Sequence, residues 1–404
     1  MNHLIIGSSF TSLGTVLGLL SQKKKKIYVI NSNNRNLKTS NDNKIKLMSR
    51  NFKEFTHEIN SSYKINKILY KKENNFISYL GPGGLSNIWG KLLNSEISEQ
   101  NKYTKFLIKK LEIKKPLLLY NNKNFLLFKH YESNLIPLKI LKNFHKKKLI
   151  TILNKNFIEN IDYDKIEKKF TIYPHCQKKI HTKKLYLASG FFSNIKFIGK
   201  LIGEKNLKQP IKVNHKDMLY GFFINKKKIF SKKTKINEFF FLDKKHNYFS
   251  GKILNLKTEY IKKYNLNPIF YLIIFFFNSL GYNFFVFNFF YKKKKTRIFL
   301  KENNLEIKSP KTVLKKKYLS IFKKKYHLFF QIKFLFAVKT LTGSDFHYST
   351  YIKYYIKNCK RFSFLKDLYI SDGTCVKKNI FFPTFFFIYN SFFCIKKNLN
   401  LLKI

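Results

Sequence analysis

"HLIIGSSFTSLGTVLGLLSQKKKKIYVINSN", residues 3–33, switches hydrophobic period twice. Leu4–Ile6 is a short apolar run of strand length, a Gly/Ser turn follows, and apolar residues then fill a helix-length stretch to about Ser21. A second apolar run, Ile27–Ile30, closes the unit. Strand, turn, helix and strand in immediate succession form a β-α-β unit, which makes its two strands parallel. The turn is a worn G-x-G-x-x-G, with Gly7 in the first position, Ser9 in the second and Ser12 in the third. Small residues there let the backbone approach a pyrophosphate at the helix N-terminus, where N–H groups without helical partners and the dipole favour an anion. The acid that usually ends the second strand and holds a ribose is replaced by Asn31, whose amide oxygen still accepts a hydrogen bond.

A second stretch, "GPGGLSNIWGKLL" (81–93), stands out against its surroundings. It gathers Gly81, Gly83, Gly84 and Gly90, out of fifteen glycines, together with the only tryptophan, Trp89. The rest of the chain is flooded with Lys, Asn, Ile, Phe and Tyr, residues whose codons include ones made only of A and T. The formal charge of +58, from 80 Lys+Arg against 22 Asp+Glu, would by itself suggest a polyanionic partner. The lysines, however, come in short runs everywhere, as at 23–26, 146–148, 226–228 and 292–295, and the aromatic excess rises with them. That pattern is codon drift, and no specific nucleic-acid partner is expected.

At 404 residues and 44% hydrophobic content the chain fills one large domain or two ordinary ones. Cys176, Cys359, Cys375 and Cys394 form no CxxC pair and none stands at metal-ligand spacing with a histidine, so they read as reduced and structural, and no metal is expected. "MNHLIIGSSF" carries no basic segment ahead of a long apolar one, which reads as no signal peptide and a cytoplasmic location. "PIFYLIIFFFNSLGYNFFVFNFFYKKKK", 268–295, has the length and apolarity of a membrane span. Asn278, Gly281, Tyr282, Asn283 and Asn288 break it, and "NSLGYN" is turn chemistry. The expectation is a helix to about Phe277 and a strand from about Phe284, both buried, with peripheral membrane contact through the basic surface left open.

Further along, 33–75 reads as loops and a helix. "LITILNKNFIENIDYDKIEKKFTIY" (149–173) alternates around a turn near Asp162–Lys165, a hairpin or meander. "KKLYLASGFFSNIKFIGKLI" (183–202) is a short strand running through Ala188-Ser189-Gly190 into a helix, and a last helix starts after Pro383. The segment from about 206 to 340 is strand-rich, and no repeat or Pro/Gly/Ser linker divides the chain.

Taken in order, these segments resemble the glucose–methanol–choline family of flavoprotein oxidoreductases, most closely bacterial members whose second glycine motif runs GGLSNVWG. Gly83, Gly84, Leu85, Ser86, Asn87, Trp89 and Gly90 match that motif almost letter for letter. The resemblance implies that this stretch lies along the FAD pyrophosphate and isoalloxazine, and that Gly7, Ser9, Ser12 and Asn31 form the ADP-binding start. "LYLASGFFSNIKFI" resembles a block in which Gly190 closes a strand near the dinucleotide. "GSDFHYST" resembles the stretch carrying the catalytic histidine, here His347. "LYISDGTCV" resembles the block whose aspartate, here Asp372 followed by Gly373, reaches the ribityl and phosphate region. Two departures stand out: Phe382 occupies the position where many members have Asn or His, and Ser349 replaces the glycine two positions after the histidine.

The fold this implies is α/β, α+β overall: a discontinuous, Rossmann-like FAD-binding domain (1–205 and 341–404) with an interleaved, strand-rich substrate domain (206–340). The activity it implies is FAD-dependent oxidation of a CH–OH group in a small alcohol or sugar, with flavin N5 as hydride acceptor and an unidentified electron acceptor thereafter. A flavin-binding relic without turnover and a basic nucleic-acid-binding protein are the alternatives.

Overall fold

The computed structural model describes residues 1–32, 68–69, 101–113, 117–121, 125–129, 135–155, 158–225, 239–243, 250–255, 268–292, 296–302, 304–309, 333–339, 348–376 and 383–403. The 81–93 motif, His347, Phe382 and nearly all of 33–75 lie outside these residues.

Strand His3–Ile6 is the centre of a five-stranded parallel sheet, in the order Leu368–Ile370, Lys184–Leu187, His3–Ile6, Ile27–Ser32, Thr151–Lys155. Side chains alternate between two cores, as period-two geometry requires of a sheet covered on both faces. Leu4, Ile6, Leu185, Leu187, Leu368 and Ile370 point into one, against helix Phe191–Ile202. Ile5, Val29, Tyr186 and Tyr369 point into the other, against helices Phe10–Ser21 and Pro383–Lys396.

Three further sheets accompany it among the described residues. Lys216–Asn225, Asn283–Lys292 and Lys333–Lys339 form one side of a seven-stranded antiparallel sheet that continues through Ser250–Asn255 and Phe239–Asp243 to Phe125–Lys129 and Leu117–Asn121. Two of its strands thus come from 117–129, within the segment that the sequence assigns to the dinucleotide domain. A four-stranded sheet is built on Thr296–Lys301 and Asn304–Lys308, and a three-stranded one on Ile158–Asp164, Lys169–Pro174 and Ile180–Thr182.

The expected elements appear with two adjustments. The hairpin turn falls after Asp164, whose Oδ1 accepts the N–H groups of Ile166 (2.8 Å) and Glu167 (3.0 Å), while Thr151–Lys155 leaves the hairpin to pair in parallel with Ile27–Ser32. The apolar 268–295 stretch divides into helix Pro268–Ser279 and strand Asn283–Lys292, as its polar interruptions predict. The helix is not buried: Leu272, Phe275 and Phe276 are each more than half exposed. Among the described residues no helix is long and apolar enough to cross a membrane.

Helix Phe10–Ser21 and helix Pro383–Lys396 approach closely because glycine faces the contact twice. A Cβ on Gly14 would lie 2.3 Å from the Ile388 carbonyl oxygen, and one on Gly18 would lie 2.8 Å from Ile395 Cβ. Gly14→Ala is therefore expected to drive the helices apart and lower stability by about 1–3 kcal/mol, the usual cost of overpacking. Urea unfolding of the two proteins measures this directly; an unchanged midpoint would show that the contact does not set the helix spacing.

Candidate functional site

Strand His3–Ile6 pairs with Ile27–Ser32 on one side and with Lys184–Leu187 on the other, so the chain leaves it in opposite directions. In open α/β sheets the crevice outside the carboxyl ends of the strands at such a switch point is where ligands bind. Three loops meet there: Gly7–Ser9, Ala188-Ser189-Gly190 and Ser371-Asp372-Gly373. Asn31, near the end of its strand, is the fourth contribution.

Gly7 (φ +118°) is fixed by its neighbour. A Cβ there would sit 2.2 Å from the Ala188 carbonyl oxygen, so only glycine lets the first and second loops lie side by side. Ser9 follows as the N-cap of helix Phe10–Ser21, in extended conformation, but its side chain makes no capping hydrogen bond and its Oγ lies 3.3 Å from Thr11 Oγ1. The first helical hydrogen bond runs from Leu13 N to Ser9 O (3.0 Å), so the N–H groups of the opening turn have no partner in the helix. Ser12 is fully buried in that turn, and its Oγ has no hydrogen-bond partner among the described residues.

Asn31 is held on both sides. Its Oδ1 accepts from Ser8 Oγ (2.7 Å) and its Nδ2 donates to Asn154 Oδ1 (3.1 Å). One lone pair of the amide oxygen is thereby committed to the turn, leaving one for a further donor.

Gly190 is the N-cap of helix Phe191–Ile202 at φ +97°, ψ +156°, a region that glycine alone occupies readily. A Cβ there would meet nothing within 4 Å among the described residues, so the torsion requires glycine there. Just before it, Ser189 Oγ donates to Asn194 Oδ1, and Asn194 Nδ2 donates to the Leu187 carbonyl (3.2 Å), which ties the loop to the helix.

Asp372 is the most informative group. It is 4% exposed, and its Oδ1 accepts from Thr374 N (2.9 Å) and Thr374 Oγ1 (2.6 Å). Its Oδ2, also buried, has no partner of hydrogen-bond geometry among the described residues, although the Asn194 amide lies near enough to favour the charged form. Burial raises its pKa above the ordinary carboxylate value, more than Thr374 and Asn194 pull it back. Gly373 comes so close to Tyr348 that a Cβ would lie 2.0 Å from the Tyr348 carbonyl oxygen. Thr350 N donates to Gly373 O (2.8 Å) and Ile352 N to Thr374 O (2.9 Å). The segment that follows His347 in the chain is thus laid along the Asp372 loop.

Of the residues singled out in the sequence, Gly7, Ser9, Ser12, Asn31, Gly190, Asp372 and Gly373 fall on this one edge. Gly83, Gly84, Ser86, Asn87, Trp89, Gly90 and His347 lie outside the described residues. Sequence reasoning missed Ser8, Asn154, Asn194 and Thr374, and the hydrogen bond between the Thr15 and Ser371 hydroxyls (2.8 Å) that ties the first helix to the third loop. Thr374 had a local signal, since an aspartate bonding backbone two residues on is ordinary Asx-turn chemistry. The others act between distant parts of the chain.

Chemically, the edge offers helix-start N–H groups that have no partner within the helix for an anion, and a buried carboxylate oxygen for a hydroxyl or N–H donor. A dinucleotide, with its pyrophosphate and its row of hydroxyls, presents both, so the residues fit such a cofactor.

No protein-family model and no curated protein matches the sequence. The fold does find relatives. Pyridoxine 4-oxidase from Mesorbium loti aligns over 98% of this chain and 98% of its own, with a TM-score of 0.57 at 6% identity. NikD, described as an unusual amino acid oxidase essential for nikkomycin biosynthesis, covers 98% of this chain and 93% of its own at a TM-score of 0.35 and 8% identity. A flavoprotein/dehydrogenase from Cytophaga hutchinsonii covers 98% and 79% at a TM-score of 0.34 and 10% identity. The first likeness spans both chains almost end to end, so this protein has the fold of pyridoxine 4-oxidase, a parallel sheet with antiparallel sheets attached.

Proposed function

We propose that the chain is an FAD-dependent oxidoreductase acting on a CH–OH group of a donor. The observation that carries this reading is the Asp372 carboxylate, 4% exposed, whose Oδ2 has no partner of hydrogen-bond geometry among the described residues, on the same sheet edge as the start of helix Phe10–Ser21. The full-length likeness to pyridoxine 4-oxidase, whose name places an oxidation at position 4 of pyridoxine, supports it. The opening turn, Gly7 to Ser12, would hold the pyrophosphate through its N–H groups, and Asn31 the ribose through its remaining lone pair. Asp372 and Gly373 would hold the ribityl and phosphate region beside Gly190, and Gly83, Gly84, Ser86, Asn87, Trp89 and Gly90 would lie along the ring system. When bound, the flavin supplies the hydride acceptor that no side chain provides. His347 takes the hydroxyl proton of the donor as general base. Support for that role comes from Tyr348, the next residue, whose backbone packs on Gly373. A sugar or polysaccharide-related hydroxyl is the proposed substrate, and the cytoplasm the proposed location.

The purified protein is expected to carry non-covalent FAD. His347→Ala should keep the flavin spectrum while slowing anaerobic flavin reduction by about 10²–10⁴-fold, the range a positioned general base contributes. Ser349→Ala, whose backbone is fixed by two hydrogen bonds with Asn214, should change the rate little. A folded, colourless protein that takes up no FAD ends this reading; equal reduction rates in wild type and His347→Ala remove the histidine from it.

Asp372→Asn separates folding from cofactor binding. Because the folded-state pKa of Asp372 is raised by burial, its charge costs stability above that pKa and nothing below the ordinary value of about 3.9. The variant should therefore melt a few degrees higher than wild type without cofactor at about pH 8, an advantage that vanishes as pH falls to about 4. It should also lose most of the rise in melting temperature that FAD gives wild type. Retention of the full FAD-dependent rise would remove Asp372 from the site.

A further inference from the structure

Two thiols that stand apart in sequence meet beside the Asp372 loop. Cys375 follows that loop, and Cys394 lies in the last turn of helix Pro383–Lys396. All four cysteines of the chain are free thiols; Cys176 is exposed and Cys359 partly so, whereas Cys375 and Cys394 are 8% and 6% exposed. One side-chain amide joins the buried pair. Asn390 Nδ2 donates to Cys375 Sγ at 3.3 Å, and Cys394 Sγ lies 3.9 Å from Asn390 Oδ1. The two thiols are also within hydrogen-bond reach of each other. Cys375 Sγ donates in turn to the Asp372 carbonyl oxygen (3.1 Å), which also accepts from Cys375 N (3.3 Å). A hydrogen-bonded row thus runs from Cys394 through Asn390 and Cys375 to the backbone of the residue that carries the buried carboxylate. Neither sulfur takes part in the proposed oxidation.

We propose that Cys375 and Cys394 form a reversible disulfide, with hydrogen peroxide as the oxidant, and that this cross-link weakens the hold of the Asp372 loop on its cofactor. Cys394 is the thiol that attacks. The hydrogen bond from Cys375 lowers its pKa below the ordinary thiol value, whereas the same contact, and then burial, raise that of Cys375. The Cys394 thiolate takes one oxygen from peroxide, which leaves as hydroxide and makes a sulfenic acid. The Cys375 sulfur then bonds to the Cys394 sulfur, and the sulfenic oxygen departs as water. In sum, two thiols and one peroxide give one disulfide and two waters; the sulfurs lose two electrons and the peroxide gains them. Peroxide is uncharged and little larger than water, which suits a pair this buried. Once joined, the Cys375 sulfur has no proton to give, so the Asp372 carbonyl loses that donor. Two sulfurs in hydrogen-bond contact must also close to about 2.0 Å, which draws Cys375 toward the helix. Thr374, the residue before it, holds Asp372 Oδ1 and moves with it. The effect on the cofactor rests on Asp372 belonging to an FAD site, as proposed above; the disulfide itself does not.

Folded full-length protein is to be treated with hydrogen peroxide, its remaining thiols blocked with iodoacetamide in denaturant, and the product digested without reductant. Mass spectrometry should find a peptide joining Cys375 to Cys394 that disappears after dithiothreitol. In Cys375→Ser, dimedone should instead label Cys394 as a sulfenic acid. The oxidised protein should lose most of the FAD-dependent rise in melting temperature, and dithiothreitol should restore it. Cys394→Ser should keep that rise under peroxide. Reversal by dithiothreitol in the wild type makes the result independent of whether either variant folds, and separates it from methionine oxidation. A folded protein that yields no joined peptide, or yields one only after unfolding, overturns the proposal. A joined peptide with an undiminished FAD-dependent rise removes its effect on the cofactor. Protein that forms the joined peptide but takes up no FAD in either state strikes the FAD reading and leaves the disulfide standing.

Discussion

The contact between helix Phe10–Ser21 and helix Pro383–Lys396 brings the beginning and the end of the chain into one core. It is close because Gly14 faces the Ile388 carbonyl and Gly18 the Ile395 side chain with no Cβ between, and it is pinned at its far end by polar groups. Gln22 Nε2 donates to the Ile395 carbonyl (2.8 Å), and Lys396 Nζ donates to the Ser21 carbonyl (3.2 Å). Thr15, one residue after Gly14, reaches Ser371 from the same helix. The start of the first helix and the Asp372 loop are therefore parts of one body, although more than 350 residues separate Thr15 and Ser371 in sequence. The proposed anion site and the Asp372 carboxylate keep a fixed separation through that closure.

The edge itself is built by backbone crowding. Gly7 lies against the Ala188 carbonyl and Gly373 against the Tyr348 carbonyl, so each loop sets the position of the next without side chains intervening. Side chains then supply what the backbone lacks. Ser8 turns Asn31 inward, Thr374 holds one oxygen of Asp372, and Asn194 ties the Ser189 loop to its helix. Ser12 Oγ and Asp372 Oδ2 are buried without a partner of hydrogen-bond geometry among the described residues. An unpaired buried polar group costs about 1–3 kcal/mol, a cost that a bound partner removes.

The β-α-β start and the strand-loop-helix around Gly190 were legible in sequence because each is local: period, turn residues and helix length lie within thirty or so residues. The break in the 268–295 stretch was legible for the same reason, since asparagine and glycine interrupt an apolar run wherever the chain turns. Which face of helix Pro268–Ser279 stays exposed was not, because nearly every residue in it is apolar and no polar stripe marks the outer side. The helix-contact role of Gly14 and Gly18 was hidden too. "GTVLG" shows only that a helix contains small residues four apart, and what approaches them comes from the other end of the chain. The acceptor role of Asn31 is legible in sequence, but its two partners, Ser8 and Asn154, are not, and the second is invisible without the pairing of Ile27–Ser32 with Thr151–Lys155.

A composition drifted toward Lys, Asn, Ile, Phe and Tyr acts as a filter on what physical chemistry forbids to change. Eight glycines have described surroundings, and every one is constrained. Gly7, Gly14, Gly18, Gly199 and Gly373 have a neighbouring atom closer than 3.0 Å to where a Cβ would stand. Gly190, Gly203 and Gly281 have φ between +73° and +97°. Only at Gly199, whose nearest neighbour is the end of the Leu300 side chain, could a flexible group shift to make room for alanine. Lysine and phenylalanine, by contrast, spread wherever solvent or an apolar neighbour accepts them, which is why they carry little positional information here. In such a chain the rare residue types are the informative ones, and a reading that starts from the glycines and the acids reaches the strand-end edge before one that starts from the charge.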